Sequence, residues 1–293
     1  MRSTPPQAGG CASSRSIRRS WSRPEATRDL RGSEFKDHFS GVAAQYAAFR
    51  PRYPAELFDF LGDRCESRRL AWDCACGTGQ ASVDLAERFD RVVATDASAR
   101  QIEAAFPHER VEYRVASAEH SGLADGSIDL VTVAQALHWF DLPRFYAEVR
   151  RVLAPRGVIA VWTYGGLTVA DAAIDELLRH FASGTVGPYW PPERRLVDAG
   201  YRTLPFPFAE IDAPQFLMQC AWPLPHLVGY LRSWSATQRF IAQLGIDPTA
   251  DLAQRLSPLW GDSSRARAIT WPLQLRLGFK AGRASPSSSP LSS

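Results

Sequence analysis

Ala71-Trp72-Asp73-Cys74-Ala75-Cys76-Gly77-Thr78-Gly79-Gln80 is a short apolar run that ends abruptly in a glycine turn. The residues after it, 81–89 (ASVDLAERF), carry apolar side chains at helical spacing. Strand, glycine turn and helix in that order form the ligand loop of open α/β sheets, which bind at the carboxyl ends of their strands. Gly77 and Gly79 lack the Cβ atoms that would hold a ligand away from the main chain. Residues 91–95 (RVVAT) read as the next strand, closed by Asp96, an acid placed to accept both hydroxyls of a ribose. The three features together indicate a nucleoside-binding half-domain.

What is missing narrows the nucleoside. A dinucleotide fingerprint wants a third glycine three residues after the second, where this chain has Ser82. An acid, Asp73, lies just before the turn instead. A carboxylate beside an open turn suits a ligand with an ammonium and a sulfonium better than one with phosphates. The run Asp73-x-x-Cys76-Gly77-Thr78-Gly79 resembles the first motif of class I S-adenosylmethionine (SAM) methyltransferases. The resemblance implies that Asp73, Cys76, Gly77, Thr78, Gly79 and Asp96 hold SAM.

Further stretches carry the same resemblance. Tyr46-x-x-x-Arg50-Pro51-x-Tyr53-Pro54 is similar to the N-terminal segment of trans-aconitate-type methyltransferases, which implies a helix folded over the cofactor. Tyr46 and Arg50 would then lie near the cofactor's carboxylate, for which a guanidinium fork is suited; a surface Arg beside a core Tyr is the plainer alternative. Ser117-Ala118-Glu119-His120 and Asp125-Gly126-Ser127 resemble the family's run bordering the adenine. Small Ala97 and Ala118 would flank the ring. Ser117 stands where the family has an Asp to receive the adenine amine, which puts cofactor affinity in question.

Residues 128–134 (IDLVTVA) form a continuous apolar run, a strand buried on both faces. At its carboxyl end comes Gln135-Ala136-Leu137-His138-Trp139-Phe140-Asp141, similar to a signature of the same subgroup. Gln135 is thereby a cofactor candidate. His138 is the one well-placed candidate for a general base, or else an aromatic neighbour that shapes the pocket. Trp139 and Phe140 are candidates for the acceptor pocket, as are Tyr189, Trp190 and Trp234 in the aromatic, proline-rich segment beyond residue 165.

Spacing alone gives a mostly parallel α/β sheet. The resemblance implies a Rossmann-like seven-stranded class I methyltransferase sheet, order 3-2-1-4-5-7-6, with the last-placed strand antiparallel and helical lid elements. The expected organisation is a disordered extension or targeting segment at 1–34, one methyltransferase domain at 35–280 and a disordered tail at 281–293. Within that domain, 35–65 are cap helices, 66–165 the SAM-binding core and 166–280 the lid and last strands. The 206–212 and 268–277 runs are the expected sixth and seventh strands, and 167–181 and 224–244 the lid helices.

The net charge of +3 is concentrated in residues 1–34, which hold seven Arg against three acids. The rest of the chain is close to neutral, which disfavours RNA or DNA as substrate. Five cysteines in no paired spacing give neither a disulfide framework nor a metal set, and a reducing cytoplasm fits them. No apolar run approaches the length of a membrane span. The reading is a SAM-dependent methyltransferase of a small molecule, the first class considered being a carboxylic acid, working as a monomer or homodimer without metal. A non-catalytic SAM-binding interaction module and a nicotinamide oxidoreductase are the alternatives.

Overall fold

The computed structural model describes residues 51–280. The expected segments at 1–34 and 281–293, and the helix carrying Tyr46 and Arg50, lie outside the described residues. The first helix, α1 (Ala55–Asp63), leads into β1 (Leu70–Cys74), α2 (Gln80–Ala86), β2 (Arg91–Asp96), α3 (Ala99–Glu103) and β3 (Val111–Val115). Then come β4 (Ile128–Ala134), a 3-10 turn at Leu137–Trp139, α4 (Leu142–Val152) and β5 (Leu153–Tyr164). The remainder is β6 (Thr168–Val169), α5 (Ala172–His180), α6 (Arg194–Asp198), β7 (Ala209–Ile211), β8 (Leu217–Trp222), α7 (Leu224–Arg232), α8 (Ser235–Leu244), α9 (Pro248–Trp260) and β9 (Arg267–Phe279).

Strands β1 to β5 are parallel in the order β3-β2-β1-β4-β5, and β9 lies antiparallel against β5. The Leu273–Phe279 half of β9 pairs with β5. β7 pairs with the end of the same half, from Leu277 to Phe279, so the path 3-2-1-4-5-9-7 reproduces the expected order. The first half of β9 runs on past β5 and pairs with β8 and β6, so the described residues hold nine strands where seven were expected.

The β4 sequence fits its place: six of its seven residues are buried, as a central parallel strand covered on both faces requires. Two apolar layers flank the sheet. One gathers Leu57, Phe58, Leu85, Ala160 and Trp162 beneath α1 and α2; the other gathers Trp72, Val131, Phe145, Val149 and Val161 beneath α4. Strand order reverses between β1 and β4. The crevice at their carboxyl ends is where an open α/β sheet binds its ligand.

The lid departs from expectation in two places. Of the 167–181 stretch, Thr168 and Val169 form a strand, and the helix starts only where Asp171 caps it by accepting from Ala173 and Ile174 N–H. The 224–244 stretch is two helices broken at Trp234, whose backbone is extended. The helix α9, capped by Asp247, was not expected. Among the described residues no helix is long and apolar enough to cross a membrane.

Candidate active site

The glycine turn leaves β1 through Ala75 (φ 55°) and Gly77 (φ 58°) and enters α2 through Gly79 (φ 85°). Three left-handed residues in five reverse the chain tightly, and each would cost a residue with a Cβ about 1–2 kcal/mol. At Gly77, among the described residues, a Cβ would meet nothing closer than Gln101 Oε1 at 3.9 Å. Gly79 is different. Its missing Cβ makes room for the Tyr113 phenol from β3, whose hydroxyl donates to the Phe106 carbonyl at 2.8 Å. The space left by the absent Cβ of Gly79 is therefore filled by the protein itself.

Asp96 at the end of β2 accepts from Gly77 N–H and from Ser98 N–H, both at 2.9 Å. One carboxylate thus ties the glycine turn to the second strand and stays half-buried at the crevice. Cys76 N–H, bonded to the Thr95 carbonyl at 2.9 Å, and Thr78 O, bonded to Phe106 N–H at 3.0 Å, fix the rest of the turn. Burial pushes the Cys76 thiol up, so it is neutral.

Asp73 is not in the crevice. It is 1% exposed, on the α2 face of the sheet, and its two oxygens accept from Ser82 Oγ (2.6 Å) and Thr132 Oγ1 (2.9 Å). Held by these two hydroxyls, the carboxyl sits beneath the glycine turn. Burial raises its pKa to about 6, against 3.8 ordinarily, outweighing both hydroxyl bonds. A raised carboxyl pKa stabilises the fold at low pH. That contribution is complete below the unfolded value and lost as pH climbs through about 6. Two units correspond to roughly 3 kcal/mol. Asp73→Asn is therefore expected to flatten the pH 4–7 stability curve by a difference of that order, measured by urea unfolding of both proteins. Parallel curves would remove the buried ionisation.

Ala97 and Ser117 are exposed and Ala118 is buried, on the loops that follow β2 and β3. The second loop is pinned from behind by Glu148, which accepts from Ser121 N–H and Oγ and pairs with Arg151 at 2.7 Å. Gln135 has a left-handed backbone (φ 59°), and its side chain is used internally. Nε2 donates to the Tyr164 carbonyl at 2.9 Å and Oε1 accepts from Thr163 Oγ1 at 2.5 Å. Both ends of its amide are thus engaged within the protein.

His138 follows on the 3-10 turn, its Nδ1 2.8 Å from the hydroxyl of Tyr201, a fully buried residue with φ 59°. Burial pushes the imidazole down to about 4, Glu193 opposing and Arg194 adding. Trp139 is 37% exposed against His138, whereas Phe140 is half-buried and packs on Phe145 of α4. Tyr189, Trp190 and Trp234 pack into an aromatic group with Phe181, Tyr230 and Phe240. Arg194 lies over the Trp190 ring at 4.1 Å. Tyr189 and Trp190 also border an open hollow with Arg239 and Gln243, one that includes no residue of the glycine turn. Tyr201, Thr163 and Tyr113 were not picked out from the sequence. The one signal available was a hydroxyl residue, Thr163, directly after the apolar run 158–162.

A doubly wound sheet with a glycine turn after β1 and an acid closing β2 defines a class of nucleoside-dependent enzymes, and the comparisons identify the family. Residues 72–161 match the methyltransferase domain family. A Dictyostelium discoideum protein named as a methyltransferase is 34% identical over 255 residues, spanning 85% of this chain and 97% of its own. An uncharacterized methyltransferase of Mycobacterium tuberculosis is 38% identical over 128 residues, 42% of this chain and 51% of that one. Among solved structures, a candidate type II methyltransferase from Anaeromyxobacter dehalogenans is 46% identical with a TM-score of 0.77, covering 80% of this chain and all of the other. The chain belongs to the class I SAM-dependent methyltransferases. The nicotinamide alternative ends there.

The site fits SAM on its own evidence. Main chain is bare at Gly77, a carboxylate is fixed beside it at Asp96, and the buried Asp73 sits below a turn that would face a cationic ligand. When bound, SAM supplies an electrophilic methyl group with a good leaving group already attached.

Proposed function

We propose that the chain methylates a small molecule in the crevice above β1 and β4, with the adenosyl group against Gly77 and Asp96. The carrying observation is the Asp96 carboxylate at the end of β2, fixed beside the glycine turn by Gly77 and Ser98 N–H, where an acid can receive a ribose. Ala97, Ala118 and Ser117 border the adenine in this reading. Cys76 and Thr78 contribute main chain; Tyr46 and Arg50, outside the described residues, are the candidates for the cofactor's carboxylate. Most of the acceleration comes from holding two reactants in line. The chain therefore needs to position and exclude water more than to react.

Trp139, exposed beside His138, forms the acceptor wall, and Tyr189, Trp190 and Trp234 form the scaffold of the lid above it. The acceptor carries either a carboxylate, which needs no base, or a protic group, which does. A free small molecule is favoured over nucleic acid because residues 35–293 carry almost no net charge. Cytoplasmic location is favoured by four free thiols among the described residues. Calorimetry with SAM and with NADH, followed by radiolabelled transfer to a panel of small acids and hydroxyl compounds, tests the reading. Heat with SAM alone and label in a small product are expected; heat without transfer to any compound would point to a non-catalytic SAM-binding module.

A further inference from the structure

β3 ends the sheet: among the described residues it pairs with β2 on one side and with no strand on the other. The pairing with β2 runs without a bulge over all five residues, Val111-Glu112-Tyr113-Arg114-Val115. Two bonds at its ends give the direction of its main-chain groups. Val92 N–H donates to the Arg110 carbonyl at 2.8 Å, and Ala116 N–H donates to the Asp96 carbonyl at 3.0 Å. Direction alternates along a strand, so residues 110, 112, 114 and 116 turn toward β2, and Val111, Tyr113 and Val115 turn outward. Val111 N–H is taken up by the His108 carbonyl at 3.1 Å, whereas the outward groups of Tyr113 and Val115 meet no strand.

Such an edge invites another strand unless lysine, proline or a bulge blunts it, and β3 has none of these. It carries instead one charge of each sign on one face, Glu112 and Arg114, paired at 2.8 Å and both exposed. On the other face Val115 is 57% exposed.

The five residues complement themselves when read backwards. Against a second copy running the opposite way, with a two-fold axis at Tyr113, Val111 faces Val115, Glu112 faces Arg114 and Tyr113 faces its own copy. The outward-turned residues then lie opposite one another, as an antiparallel ladder requires. Glu112 and Arg114 fall in the closer, non-hydrogen-bonded pairs, where opposite charges attract and like charges repel. Moving the axis one residue either way shortens the overlap and sets Glu112 against Glu112, or Arg114 against Arg114. Main chain and charge therefore select the same register.

We propose that β3 is a homodimer contact: two copies join edge to edge and antiparallel through Val111–Val115, with the two-fold axis at Tyr113, into one continuous sheet. The exposed Val115 of each copy is covered by Val111 of the other. Because the strands of the two copies run in opposite directions, their crevices lie at opposite ends of the joined sheet. One strand pair is a smaller contact than a typical stable interface, so the dimer is expected to dissociate on dilution through the micromolar range.

Sedimentation velocity on the full chain over that range tests the contact, and a concentration-dependent dimer is expected. Val115→Pro removes an N–H that faces away from β2, which an edge strand can spare. It should raise the dimer Kd about tenfold with the far-UV spectrum unchanged. Exchanging the charges, Glu112→Arg together with Arg114→Glu in one chain, keeps opposite charges adjacent within the strand, and the exposed Arg91 beside Glu112 can swing away. The exchanged chain should dimerise with itself as the parent does. Parent and exchanged chains carrying different fluorophores should pair with each other at least about tenfold more weakly, because every cross-strand charge contact becomes a like pair. A parent that stays monomeric leaves the edge to another occupant and overturns the proposal. So does an exchanged chain that no longer dimerises, free mixing of the two chains, or a dimer indifferent to Val115→Pro.

Discussion

Asp96→Ala is expected to weaken SAM binding at least 100-fold while leaving a folded protein. In the proposed function the carboxylate accepts from two ribose hydroxyls. Hydrogen bonds to a charged group contribute about 1.5–3 kcal/mol each, so losing both removes about 3 kcal/mol or more. At about 1.4 kcal/mol per tenfold, that is two orders of magnitude or more in Kd. The same change also releases Gly77 and Ser98 N–H, now bonded to the carboxylate at 2.9 Å, so the turn loses its tie to β2. Asp96→Asn separates the two effects. It keeps one acceptor oxygen and loses the charge, and an intermediate loss of about tenfold is expected. Titration calorimetry with SAM and with S-adenosylhomocysteine checks both variants, since the ribose is common to the two ligands. A Kd unchanged in Asp96→Ala would move the nucleoside away from β2.

The sheet was readable from residues because its signals are local. A buried parallel strand announces itself by an unbroken apolar run such as 128–134, and the turn between β1 and α2 by glycines at fixed offsets. The 209–211 and 267–279 strands were legible for the same reason, as apolar segments bounded by turn residues. What side chains do inside the site was much less legible. Asp73 and Gln135 were placed at the cofactor by the resemblance of the motifs that carry them, and Asp73 also by the fit of a carboxylate to a cationic ligand. Their actual partners, Thr132 at 59 positions' distance and Thr163 at 28, are set by strand pairing that no local pattern contains. Gly79 was assigned to the ligand because a glycine's missing Cβ does not say what fills the space; here it is Tyr113. Tyr201 follows a helix in a stretch without periodicity, and only the fold brings it to His138.

The two glycines of the turn should give opposite phenotypes, and that contrast separates binding from folding. At Gly77 a Cβ meets no atom of the described residues closer than 3.9 Å, so Gly77→Ala carries the left-handed backbone cost, about 1–2 kcal/mol of stability. The same methyl occupies the space against which the adenosyl group is proposed to lie, so SAM binding should fall beyond detection in calorimetry, and further still in Gly77→Val. At Gly79 the backbone cost is similar, but the methyl would overlap the Tyr113 phenol, adding about 1–3 kcal/mol of overpacking. Gly79→Ala is expected to lose about 2–5 kcal/mol of stability in urea unfolding, and what remains folded should bind SAM with near-parent affinity. Trimming the clashing ring tests the cause directly. Tyr113→Ala in the Gly79→Ala background should restore at least 1 kcal/mol relative to the sum of the single changes, the coupling expected of residues in contact. Simple additivity would show that the ring does not dictate the glycine. Intact SAM binding in Gly77→Ala would show that the ligand does not lie against this turn.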